Sequence, residues 1–279
     1  MGYLAPSVTV IIGTHNRAKI LPTAIESVLN QTYPSFELFV VDNGSTDETR
    51  RVVESYHDPR IRYILNPHPT RSCAEPRNIG IRLSQAPLIA FLDDDDIWYP
   101  KKLKISLQEL ERHPEAALIC HAQMIVENDR VVRKNICGPW IDDMRESLIY
   151  KGNCLGPGSV VARREALLSV GGLDVREAFQ GCEDYDLWIR MAKAGYRFHF
   201  IEEALAEFRW TGFNGSNDPW HSVRCAEMIR YHIGTDLFSK RARKRMAGLY
   251  RYASQMFRRH RRWKEACRYQ FYAMKARWI

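Results

Sequence analysis

The sequence predicts an α/β fold, a mostly parallel central sheet flanked by helices, followed by a helical C-terminal extension. Three observations predict it. Short β-branched apolar runs alternate with segments whose apolar residues recur at helical spacing, the pattern of a parallel sheet with crossover helices. Two of those runs, VVDNGSTD and AFLDDDD, end in carboxylates. The final forty residues, 240–279, form a strongly basic segment with apolar positions spaced as in a helix.

The elements follow in order. Val8 to Ile12 (VTVII) reads as the first strand, and Ile20, Leu21, Ala24, Ile25, Val28 and Leu29 give 17–31 the spacing of a helix with one buried face. Glu37 to Val41 (ELFVV) is the second strand. Two further units fit: a helix over 47–56 with a strand over 61–64, and a helix over 74–84 with a strand over 88–92. The second half predicts a helix over 101–113, strands over 117–121 and 130–133, and a loop-rich stretch over 138–158. GPGSVVARREALLSVGGLD reads as strand, helix and Gly-rich turn, and CEDYDLWIRMAKAGYRFHFI as an amphipathic helix followed by a strand. Apolar positions at Met246, Leu249, Ala253 and Met256, then Trp263, Cys267 and Met274, predict two amphipathic helices broken near His260.

Composition narrows the class. With 279 residues, 45% hydrophobic and 27% charged, the chain has the make-up of an ordinary globular protein. The net charge of +8 is misleading, because residues 240–279 hold 14 Lys and Arg against one acid, Glu265, leaving the body at −5. A nucleic-acid partner is therefore not expected. No run approaches the length of a membrane span, and the N-terminus lacks a secretory signal pattern. Seven scattered cysteines without a CxxC pair point to a reduced, cytoplasmic setting, with neither a zinc site nor a disulfide framework.

Several residues are placed to carry chemistry. Four adjacent carboxylates, Asp93, Asp94, Asp95 and Asp96, repel one another at a strand end unless a cation is present, and their hard oxygens suit Mg2+ or Mn2+. A solvated acidic turn is the plainer alternative. Asp42 and Asn43 close the second strand, where a carboxylate can accept bonds from a base or ribose, while Gly44 permits a turn and Ser45, Thr46 or Asp47 can cap the next helix. Thr14, His15 and Asn16 close the first strand and either cap a helix or line a nucleotide. Glu183 and Asp184 begin a helix, where acids favour the macrodipole, a role that Asp186 serves equally well.

The runs VTVIIGTHNRAKILPTAIESVLNQTYPSFELFVVDNGSTDET, PRNIGIRLSQAPLIAFLDDDDIWYPKKL and GCEDYDLWIRMAKAGYRF, in this order, resemble the motifs of family 2 glycosyltransferases of the bacterial surface-polysaccharide type. The resemblance covers roughly residues 7–210. It implies the GT-A fold, Rossmann-like, and inverting transfer of a sugar from a nucleoside diphosphate sugar, UDP-type favoured, to a glycan or lipid-linked acceptor. It also implies Mn2+ or Mg2+ on the diphosphate. By position, Thr14, His15, Asn16, Asp42 and Asn43 match the nucleotide-binding strand ends, with Asn43 where an acid is common. Arg77 matches an ARN motif near the donor, with Pro76 in place of a small residue. Asp93 and Asp95 match a DxD motif, Asp95 as direct metal ligand and Asp94 toward the ribose. Asp184, with Glu183 beside it, matches the catalytic base.

An inverting displacement requires such a base opposite the leaving group, and charge stabilisation of the departing diphosphate. Arg209 is expected to face phosphate and Trp210 to stack on an acceptor sugar, with Thr211 where relatives often place His. The implied organisation is a catalytic domain over 1–239, its nucleotide-sugar half about 1–100 and its acceptor half about 101–239, and a basic amphipathic helical tail over 240–279. The tail is expected to pack as a hairpin and to meet an anionic membrane surface on the cytoplasmic side. A sugar-1-phosphate nucleotidyltransferase would need a Gly-rich basic loop that GTHNRAKI does not supply. A non-catalytic binding module would have a broken DxD or ED, and both are intact.

Overall fold

The computed structural model describes residues 6–211 and 217–278. β1 (Val8–Thr14), β2 (Phe36–Asp42), β3 (Ile61–Leu65) and β4 (Leu88–Asp93) lie parallel in the order β3-β2-β1-β4. The connections between them carry α1 (Leu21–Leu29), α2 (Thr49–Glu54) and α3 (Ala74–Leu83). The sheet continues through β8 (Val160–Arg163), antiparallel to β4, then β6 (Ala116–Glu127), β9 (Arg197–Trp210) and β5 (Ile97–Trp98). β7 (Arg130–Asn135) pairs antiparallel with β6. The sheet is thus parallel over its first half, while its second half mixes directions.

β1, β2 and β4 are buried on both faces, so their successive residues enter two different cores, while the edge strand β3 is partly exposed. Ile11, Phe39, Val41 and Phe91 face one core with Leu187, Trp188 and Met191 of α7 (Glu183–Lys193). Val10, Ile12, Val40 and Leu92 face the other with α1 and with Leu103 and Leu107 of α4 (Lys102–Arg112). Gly80 brings α3 tightly onto β1, since a Cβ there would sit 2.6 Å from Ile11 Cδ1. The register carries this order to the sheet edge: Thr14 lies opposite Asp42, and Gly13 opposite Asp93. The carboxyl ends of β1, β2 and β4 therefore meet at one rim, where ligands of open α/β sheets bind.

Three elements depart from expectation. The stretch over 138–158 contains α5 (Met144–Tyr150), whose N-cap Asp143 accepts a hydrogen bond from Glu146 N at 3.0 Å. At seven residues it is too short for periodicity to announce it. β6 runs to Glu127 because it pairs with both β7 and β9. α8 (Pro219–Ile233) buries Ala226, Met228 and Ile229 against the main core.

α9 (Lys240–Arg259) and α10 (Trp263–Trp278) form a hairpin broken at His260. It is no free appendage. Ala242 and Met246 of α9 belong to the main core, and Ala253, Phe257, Ala266 and Tyr269 pack with Val223 of α8.

Candidate active site

The loops leaving β1 and β2 are fastened to each other. Asn16, in the left-handed region at φ 53°, accepts on Oδ1 from Thr46 N at 2.7 Å, and its backbone N donates to Ser45 Oγ at 2.8 Å. Gly44, at φ 83°, makes the turn that a side chain would resist. Asp42 is buried, with Oδ1 accepting from Ser45 N and Oδ2 from Tyr63 OH, both at 2.8 Å. Asn43 Nδ2 donates to Thr70 O at 2.5 Å, and Oδ1 accepts from Asn66 Nδ2 at 2.8 Å. The Asn43 carboxamide is thus engaged by the 66–70 loop and anchors that loop. His15 is exposed, its Nδ1 3.2 Å from Asn43 O.

The acidic run divides its labour. Arg77, buried on α3, pairs with Asp93 through Nη2. Asp94 accepts from Thr14 Oγ1 at 2.7 Å and lies 3.9 Å from Arg17 Nε, so the Thr14 hydroxyl holds a carboxylate of this run. Burial pushes Asp94 up to about 6, against the Thr14 bond that lowers it. Asp95 is pushed up to about 7 by burial and by the charges of Asp93 and Asp94. Asp96 is raised well above the ordinary range by burial, with its Oδ1 accepting from Arg209 N at 2.9 Å.

These groups fit a hard divalent cation. The donor set is all oxygen, and burial together with the neighbouring like charges pushes the Asp95 carboxyl up to about 7, a cost that a bound cation would relieve. Asp93 has Arg77 as its counter-charge, and Asp95 lies close enough to Asp93 and Asp94 for their charges to raise it.

α7 delivers the second pair of acids. Glu183 is buried; its Oε1 accepts from Ser72 Oγ at 3.2 Å, while Oε2 has no partner among the described residues. Asp186 is committed elsewhere, to Arg190 Nε at 2.7 Å and His232 Nε2 at 2.8 Å. Asp184 makes no ion pair among the described residues and is pushed up to about 7 by burial and by the Glu183 charge, with Arg77 opposing. A carboxyl poised near neutrality at a helix N-terminus is suited to accept a proton. Arg77 is the common cation of the two acidic groups, ion-paired with Asp93 and electrostatically felt at Asp184.

Arg209 pairs through its guanidinium with exposed Asp129, a partner that the sequence did not suggest. Arg209, Trp210 and Asp95 line a cavity of about 490 Å3 with Lys19 and Asp129. Asp93 faces a second cavity of about 330 Å3. Most of the TGFNGSND segment, residues 212–216, lies outside the described residues. Sequence reasoning missed Arg17, Tyr63, Ser72 and Asp129, whose roles exist only through partners far along the chain.

The cysteine expectation is corrected. Cys182, at the N-cap of α7, is joined to Cys225 of α8 in a disulfide, with His221 against both sulfurs. Forty-three positions separate the two cysteines, so no local spacing could announce the pair.

Comparison with known proteins agrees with this arrangement. Residues 9–170 match the family described as Glycosyl transferase family 2. The Escherichia coli UDP-Glc:alpha-D-GlcNAc-diphosphoundecaprenol beta-1,3-glucosyltransferase WfgD is 30% identical over 67% of this chain and 70% of its own length. EpsE of Bacillus subtilis (strain 168), which carries a glycosyltransferase name, is 30% identical over 73% of each chain. Among solved structures, S. aureus TarS 1–349 in complex with UDP-GlcNAc superposes with a TM-score of 0.69 at 19% identity, over 93% of this chain and 79% of that one. The mannosyltransferase PcManGT from Pyrobaculum calidifontis, in complex with GDP-Man and Mn2+, gives 0.63 at 18% identity, over 98% and 87%. The fold is therefore that of the GT-A glycosyltransferases. With the strand-end acids, the ED helix and the matched profile in one chain, this protein belongs to glycosyl transferase family 2 and is a glycosyltransferase.

Proposed function

We propose that the chain transfers a sugar, with inversion, from a nucleoside diphosphate sugar of UDP type to a glycan or lipid-linked glycan acceptor, with Asp184 as general base. The observation that carries this is the Asp184 carboxyl, raised to about 7 and without an ion pair among the described residues, on a helix where Asp186 is ion-paired and Glu183 accepts from Ser72. Asp184 takes the acceptor hydroxyl proton as that oxygen bonds to the anomeric carbon, and the bond from that carbon to the diphosphate breaks. Arg77 orients Asp93 and tempers the negative charge around Asp184. Thr14, Asp42 and the loops tied by Asn16 and Asn43 form the rim for the nucleotide, with His15 exposed beside it. Asp95, with Asp93 adjacent, would hold Mn2+ or Mg2+, which supplies charge stabilisation to the departing diphosphate. Trp210 offers an aromatic face to the acceptor.

The tail is the proposed membrane contact. No helix among the described residues is long and apolar enough to cross a membrane. The α9–α10 hairpin nevertheless exposes Tyr252, Trp263, Phe271 and Met274 among its arginines and lysines, a composition suited to an anionic lipid surface. WfgD acts, by its name, on a diphosphoundecaprenol-linked sugar, and an acceptor of that kind would require such proximity.

A thermal-shift panel of UDP, GDP, CDP and dTDP, each with and without Mn2+, tests the donor reading. UDP with Mn2+ is expected to stabilise the protein most, because a ligand that binds only the native state raises its apparent stability. No metal-dependent response to any nucleotide would contradict the reading.

A further inference from the structure

The smaller cavity beside the carboxylate run was not foreseen from the sequence. Asp93, Asp96, Gln123, Asn135, Asn153 and Phe208 line its roughly 330 Å3, within the size range of ligand pockets. Gln123 on β6 and Asn135 on β7 are directly opposed cross-strand partners, which puts their carboxamides on the same face. Gln123 is only 4% exposed, yet its carboxamide has no hydrogen-bond partner among the described residues. The carboxamide instead opens onto the cavity, where a bound group can reach its donor and acceptor.

The loop over 153–158 is built to leave this amide accessible. A Cβ at Gly156 would lie 2.8 Å from Gln123 Oε1, and a Cβ at Gly158 would lie 3.3 Å from Asp96 Oδ2 and 3.5 Å from Gln123 Nε2. Asp96 is 2% exposed and makes no ion pair among the described residues. Asn153 uses its Oδ1 to accept from Leu155 N at 3.1 Å, and its NH2 has no described partner. No Lys, Arg or His lines the cavity, so no side chain there would pair with an anionic ligand. What lines it is a set of amide donors and acceptors, carboxyl groups and one aromatic wall, the complement of a neutral ring bearing several hydroxyls.

We propose that this cavity seats a neutral sugar ring and that Gln123 is its specificity-determining residue, an inference that rests on the glycosyltransferase reading above. The ring is either that of the donor or the terminal ring of the acceptor, and the test separates them. In full-length protein with Mn2+, titration calorimetry compares UDP with UDP-glucose for the parent, Gln123→Ala and Asn135→Ala. The KM for undecaprenyl-diphosphate-linked GlcNAc is measured alongside, with UDP-glucose as donor.

If the ring is the donor's, Gln123→Ala weakens UDP-glucose about tenfold and leaves UDP within twofold, the loss expected for one buried hydrogen bond. If it is the acceptor's, both donor affinities hold and the acceptor KM rises about tenfold. Asn135→Ala, at a less buried position, shifts the same quantity in the same direction and decides the matter should Gln123→Ala fail to fold. UDP-glucose affinity and acceptor KM both within twofold of the parent in a folded variant would overturn the pocket while leaving the glycosyltransferase reading intact. A parent that binds neither UDP nor UDP-glucose would overturn that reading, and the pocket with it.

Discussion

Arg77 is the residue whose replacement should disturb both acidic groups at once. It is buried on α3, ion-paired with Asp93, and lowers the Asp184 carboxyl against the burial and Glu183 charge that raise it. Arg77→Met keeps most of the side-chain length and removes only the charge and its donors. Breaking a fully buried ion pair costs about 3–5 kcal/mol, and since Asp93 is 31% exposed, partial hydration brings the expected loss to roughly 2–3 kcal/mol. Urea unfolding at neutral pH measures that. The pH profile supplies an independent readout. A base works only when deprotonated, so kcat/KM for the parent should rise with pH through about 7, the value to which burial and Glu183 push Asp184. Without the Arg77 charge, that acid limb should move to higher pH. A loss below about 0.5 kcal/mol together with an unmoved limb would refute the assignment of Arg77 as the shared cation.

Two further outcomes test the scaffold and the tail. Gly80→Ala should cost about 1–3 kcal/mol by urea unfolding, because its Cβ would press to 2.6–2.8 Å from three atoms of Ile11 inside a closed core, and a neutral result would contradict that packing. Full-length protein should float with anionic but not neutral vesicles, and the triple variant Tyr252→Ser, Trp263→Ser, Phe271→Ser should float less. Truncation after 239 would mislead, since it strips Ala242 and Met246 from the main core; equal flotation of parent and variant would end the membrane proposal.

Much of the fold was legible because its signals are local. Val8 to Thr14 and Leu88 to Asp93 are short apolar runs, α1 and α7 each show one buried face, and the His260 break falls between two periodic segments. α5 and α8 were not read. The first is too short for periodicity, and the apolar stripe of the second is weak because polar and basic residues interrupt it. Of the site, the sequence supplied the strand-end acids, since adjacent carboxylates after a buried strand demand an explanation on their own.

What each acid is bonded to was not readable, because it depends on residues far apart. Asp93 owes its partner to Arg77, Asp94 to Thr14, and Asp96 to the backbone of Arg209. Gln123 looked ordinary inside AALICHAQMIVE, and only the pairing with β7 and the two glycines opposite it set it apart. The Cys182–Cys225 link likewise depends on the N-cap of α7 meeting α8.

The central claim is that the Asp184 carboxylate removes the acceptor proton. Transfer measured for Asp184→Asn in full-length protein, with the nucleotide affinity of the same sample, tests it most directly. Loss of a general base should lower the transfer rate about 100- to 10,000-fold while UDP affinity stays within twofold of the parent. A variant that binds UDP normally and transfers sugar at a rate within about tenfold of the parent would contradict the assignment.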